Sequence, residues 1–121
     1  MAWKKVNNKK YQIEINEEFV TLDVPYAKVE KLVEAFFANG GMVSESGEVV
    51  TSIAVLIKNF GVMGDILRSK YDAKGTLLED VGCRDLEYTE VTDLFEIASA
   101  IISDFIAVIS GPSKTEEVKA E

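Results

Sequence analysis

The chain has 121 residues, 47% apolar and 28% charged, which supplies one core for one domain and argues against wholesale disorder. Its formal charge of −8, from 21 acidic against 13 basic residues, repels phosphate backbones and anionic lipid, so neither nucleic acid nor a membrane is expected among its partners. Cys83 is the only cysteine, which excludes an intrachain disulfide and a cysteine-rich metal cage.

Met-Ala-Trp-Lys-Lys runs straight into polar Val6-Asn7-Asn8, without the apolar run of a secretory signal, and a cytoplasmic location is expected. The basic patch Lys4, Lys5, Lys9 and Lys10, interleaved with Trp3 and Tyr11, reads as a solvated N-terminal arm over residues 1–10. Tyr11 to Ile15 and Phe19 to Val24 then alternate apolar and polar residues with a period of two. The connection Asn16-Glu17-Glu18 is short enough to force an antiparallel hairpin, although it lacks the glycine that tight turns favour.

Asp23 and Pro25 form a helix-start signal, with the carboxylate as the expected cap, and a helix follows from about Pro25 to Ala38. Tyr26, Val29, Leu32, Val33, Phe36 and Phe37 recur at spacings of three and four, which leaves Lys28, Glu30, Lys31 and Glu34 toward water. Asn39-Gly40-Gly41 accepts the left-handed geometry that ends a helix.

After a loop at Ser44-Glu45-Ser46-Gly47, a second helical pattern opens near Glu48 and carries apolar residues to Leu67, before Arg68, Lys70 and Tyr71, with a strand as the alternative at its β-branched start. Its apolar sector is wider than one buried stripe requires, so either this helix is central to the core or part of it faces another subunit. Gly61 and Gly64 predict a bend or break. Asp72 to Gly75 is a turn signal, and Thr76 to Gly82 a short element of ambiguous type. Val91, Leu94, Phe95, Ala98, Ile101, Ile102, Phe105, Ile106 and Ile109 trace one face of a last helix, with Thr89 as its N-cap and Ser110-Gly111-Pro112 as its stop. Residues 113–121 carry almost no apolar content and are expected to be a disordered charged tail. The expected architecture is α+β in one domain over residues 1–112, an N-terminal hairpin followed by three to four helices.

No histidine is present, which removes the commonest proton-transfer group and the serine and cysteine nucleophile systems built on it. Glu79, Asp80, Asp85, Glu87, Glu90 and Asp93 make an acidic stretch without the spacing of a calcium loop, so it reads as a solvated face. Cys83 beside Arg84 reads as a buried thiol in preference to a nucleophile. No catalytic, cofactor-binding or metal-binding residue is assigned and no cofactor is expected. Val49, Ile53 and Phe60 in the wide apolar sector are the candidates for a shared surface. Trp3 either docks on a partner or packs on its own domain.

The layout comprises a lysine-rich arm and hairpin (Lys9-Lys10-Tyr11-Gln12-Ile13-Glu14-Ile15), amphipathic helices, a late helix from Val91 to Ile109, and a charged tail after Gly111-Pro112. This order resembles the small tail assembly chaperones of long-tailed bacteriophages. The resemblance implies an acidic, non-enzymatic cytoplasmic protein that self-associates and binds the tape measure protein around which the tail tube polymerises, with a longer frameshifted form in many phages. It transfers no individual functional residue. The alternatives are a structural or adaptor subunit of a virion or other assembly, and a small enzyme using carboxylates such as Asp80 and Asp85.

Overall fold

The computed structural model describes residues 2–45 and 48–109. Three strands come first: β1 (Trp3–Asn7), β2 (Lys10–Ile15) and β3 (Glu18–Asp23), joined in that order as one antiparallel sheet. The alternation seen in the sequence places Tyr11, Ile13, Ile15, Leu22 and Val24 on the buried face. Residues 1–10 were expected to form an arm. Instead β1 adds a third strand to the hairpin, with Trp3 opposite Ile13 and Lys5 opposite Tyr11.

The hairpin loop has two residues, because Ile15 pairs with Glu18. Asn16 and Glu17 both take positive φ, 54° and 68°, the turn geometry whose twist matches that of the strands. Asn accepts this region readily, so the missing glycine does not prevent the turn.

Helix α1 (Tyr26–Ala38) begins at Pro25, which occupies the N-cap position without a side-chain cap. Asp23 does not cap it; its carboxylate accepts from Lys10 Nζ at 2.8 Å across the strand pair. The C-terminus follows the expected glycine logic. Gly40 sits at φ 89°, its N–H bonds Phe37 O, and Gly41 N–H bonds Phe36 O at 2.8 Å, closing a Schellman motif.

Residues after Gly41 are extended, with Val43 and Val49 in an isolated antiparallel bridge. Helix α2 (Ile53–Arg68) therefore starts later than the apolar pattern suggested, where the Ser52 hydroxyl accepts from Val55 N–H. It runs without interruption through Gly61 and Gly64, contrary to the expected break. The glycines serve close approach instead. A Cβ on Gly64 would lie 2.9 Å from Cys83 Sγ, and one on Gly61 would lie 3.1 Å from the Arg84 guanidinium.

A two-stranded ribbon, β4 (Lys70–Tyr71) and β5 (Leu77–Glu79), follows around a turn in which Asp72 Oδ1 accepts from Lys74 and Thr76 N–H. Helix α3 (Tyr88–Ile109) completes the described residues. Thr89 lies inside α3, so it is not the N-cap. The start is closed by Glu90, whose Oε1 accepts from Glu87 N–H at 3.1 Å, the carboxylate half of a capping box.

There are three helices among the described residues, the low end of the expected three to four, and the α+β class stands. The expected stop at Ser110-Gly111-Pro112 and the tail at 113–121 lie outside the described residues, as do Ser46 and Gly47. The core lies between the inner face of the sheet and the helices, with Phe36, Leu32, Met63, Leu67, Leu94 and Ile102 fully enclosed. Phe105 was expected in this core. It is half-buried, its ring 6.3 Å from that of exposed Tyr26.

Candidate functional site

Two surfaces stand out. The first is apolar and centres on the start of α2. Ile53 and Ile57 are one turn apart and 73% and 61% exposed, and in the extended segment that leads into α2, Val50 and Met42, joined by a 2.9 Å backbone hydrogen bond, also present exposed side chains. The sequence places only part of its candidates there. Ile53 is on this surface, while Val49 is half-buried in its bridge and packs on the core. Phe60 turns inward, its ring edge-on to Phe95 at 4.8 Å. Trp3 is held on its own domain, donating from Nε1 to Glu96 at 2.8 Å with its ring 6.2 Å from Tyr11. Ile57, Val50 and Met42 belong to the patch and were not singled out. The signal for Ile57 was its position four residues after Ile53.

The second surface is a cavity of about 340 Å³ between the end of β3, the first turn of α1 and the junction of α2 with β4. Lys28 forms part of its wall, and this is the largest departure from the sequence reading. Helical spacing put Lys28 on the wet side of α1, yet it is only 5% exposed. Its Nζ donates to Leu67 O at 2.8 Å, satisfying a carbonyl in the last turn of α2 that has no partner within the helix. Burial pulls the ammonium down to about 8, with Lys70 acting in the same direction and Asp23 opposing it. Tyr71, also on the wall, is pushed up by burial and then by Asp80 and Asp65, while Lys31 lies 5.2 Å from its ring centre.

The acidic stretch is divided among separate structural tasks. Glu90 holds the start of α3 and also accepts from Asn16 N–H at 2.9 Å, tying the hairpin turn to that helix. Asp93 is raised by burial and then by Glu96 and Glu90. Asp80 accepts from the Ser69 hydroxyl at 3.4 Å. Asp80 and Asp85 border one open concavity, where Arg68 and Arg84 also lie. Among the described residues no three histidine, cysteine or acidic side chains group as metal ligands. The same residues contain no helix long and apolar enough to cross a membrane.

Cys83 is buried, and its thiol is pushed up to about 11 by burial and by the Asp65 carboxylate, outweighing Arg84 and Arg68. Its backbone N–H bonds Asp65 Oδ1 at 2.9 Å, so the residue fastens the loop before α3 to α2. A thiol in this state is a poor nucleophile at neutral pH.

No family model, curated protein or solved structure matches the chain.

Proposed function

We propose that this protein is a non-enzymatic assembly factor of the tail-chaperone kind, which associates with itself and holds an apolar segment of a tape measure protein. The observation behind this reading is the exposed apolar pair Ile53 and Ile57 at the start of α2, with exposed Val50 and Met42 in the segment that leads into it, on a domain that has its own buried core. Grouped apolar side chains in water gain free energy when covered, by about 25 cal/mol per Å² removed from solvent. Reversible covering of this kind holds a partner without bond chemistry. The acidic balance of the chain keeps such a protein soluble and biases it toward a partner segment that is not itself acidic.

The test is the mass in solution across a micromolar concentration series, for the wild type and for the Ile53→Asp/Ile57→Asp double variant. The wild type is expected above the monomer mass of 13.4 kDa and the variant at it, with unchanged melting. Co-expression with a tape measure protein then asks for a soluble complex from the wild type and its loss in the variant. A wild type that stays monomeric and leaves the tape measure protein insoluble sinks the reading.

A further inference from the structure

In a chain of net charge −8, the cavity beside α1 is unusual because its innermost charged group is a cation. Lys28 is enclosed, its described hydrogen bond goes to a neutral carbonyl, and among the described residues no carboxylate lies within ion-pair distance of its Nζ. An ammonium has three N–H donors, and Leu67 O uses one of them. Enclosing a cation without a counter-ion is costly, and the usual remedy is an anion placed against it.

The surrounding charges fit that remedy. Asp23, the nearest acidic group of β3, is engaged by Lys10 at 2.8 Å and held below the usual carboxylate range chiefly by that bond. Lys70 of β4 also lines the cavity and makes only an exposed 3.8 Å contact with Glu79. Arg68 lines the same space, with its guanidinium bonded to Gly82 O and 4.0 Å from Asp85. The remaining wall is largely apolar, supplied by Leu22, Leu67, Leu78 and Pro25 together with the Tyr71 ring. A volume of about 340 Å³ is at the lower end of the range in which small-molecule sites occur.

We propose that this cavity is a binding site for a small organic oxyanion, with its carboxylate or phosphate head on Lys28 and Lys70 and its apolar body against Leu22, Leu78 and Tyr71. The ligand completes the coordination of the Lys28 ammonium. Binding is therefore linked to protonation and weakens as pH rises above about 8, where the free protein releases the Lys28 proton. The other charged groups facing Lys28 across the cavity are Lys70, Arg68 and Asp23, and Asp23, held low by Lys10, stays ionised over that range.

Inorganic phosphate, acetate and benzoate serve as probes, with the lysine side-chain signals followed by NMR on the full chain. At saturation the Lys28 signal is expected to titrate at least about one unit higher than in the free protein. Benzoate is expected to bind more tightly than acetate because it also covers the apolar wall. Phosphate and acetate separate the two head groups, and a response to either supports the site. Lys28→Met is expected to weaken binding by about tenfold or more, and Lys70→Gln by a smaller factor with the fold intact, while Lys58→Met, an exposed lysine of α2 away from the cavity, leaves binding unchanged. An unmoved Lys28 signal with all three probes overturns the proposal, as does undiminished binding in both Lys28→Met and Lys70→Gln.

Discussion

The Lys28 ammonium and the Leu67 carbonyl, 2.8 Å apart and enclosed, join the first turn of α1 to the last turn of α2. The bond caps one helix with a side chain from another, and it holds a cation where water would otherwise solvate it. In the folded protein Lys28 titrates near 8, against 10.5 for an ordinary lysine. Between those values the unfolded chain keeps a proton that the folded one has released, so this group's contribution to stability rises with pH across that window. Below pH 8 its penalty is present in full. The melting temperature of wild type relative to Lys28→Met should therefore increase from pH 8 to 10.5, because titrations common to both proteins cancel. A difference that stays flat over this range contradicts the burial of a charged Lys28.

Glu17 sits at φ 68° in the two-residue turn between β2 and β3, in the region where a side chain crowds its own backbone. Glycine has no such cost, and Asn-Gly is the preferred pair for this turn. Glu17→Gly is expected to stabilise the protein by about 1 kcal/mol, raising the melting temperature by a few degrees. Chemical denaturation should show a higher midpoint with the same slope.

Gly64 lets the Cys83 thiol approach α2, and a methyl group there would meet Sγ at 2.9 Å and Leu94 Cδ1 at 3.4 Å. Gly64→Ala is expected to destabilise by roughly 1–3 kcal/mol through overpacking, despite alanine's better helix propensity. In a Cys83→Ala background the sulfur is gone, and the penalty should shrink by about 1 kcal/mol or more. Equal penalties in the two backgrounds would separate Gly64 from Cys83.

The sheet and helices were legible where burial on one face imposes a period. Tyr11, Ile13 and Ile15 alternate because one side of β2 meets the core, and Leu94, Phe95, Ala98, Ile101 and Ile102 repeat at helical spacing for the same reason, whereas fully buried Ile97 fell outside the face that spacing traced. Strand β1 was not legible. Its residues are exposed apart from half-buried Trp3, so no alternation marks it, and it is held by pairing with β2 and by contacts to α3 far along the chain. The break at the α2 glycines failed because both are held by tertiary contacts that a helix interior tolerates.

Lys28 was misplaced for a different reason. Helical spacing assigns one wet face, yet α1 is covered on a second side by the end of α2 and the β4 region, which spacing cannot report. The candidate surface was legible only as an excess of apolar residues around the start of α2. Which of them face outward depends on the isolated bridge from Val43 that engages Val49, which has no repeating pattern to mark it, and on the Phe95 ring that engages Phe60 from far along the chain.

Strand β1 and the hairpin turn are fastened to α3 by Trp3 to Glu96, Lys5 to Asp104 and Asn16 to Glu90, across sequence separations of 93, 99 and 74 residues. A chain growing at about 5–20 residues per second leaves the sheet without these partners for roughly 4–20 s after its own residues emerge. β1 is an edge of that sheet, in the finished fold as on the growing chain, and an open edge is the arrangement from which strand-to-strand aggregation starts. Lys4 and Lys5 on β1, with Lys9 and Lys10 at the adjoining turn and strand, put positive charges along the waiting sheet. Like charges placed along an edge disfavour its pairing with the same edge of an identical chain, and on a crowded polysome that is the neighbour each young chain meets before its last helix arrives.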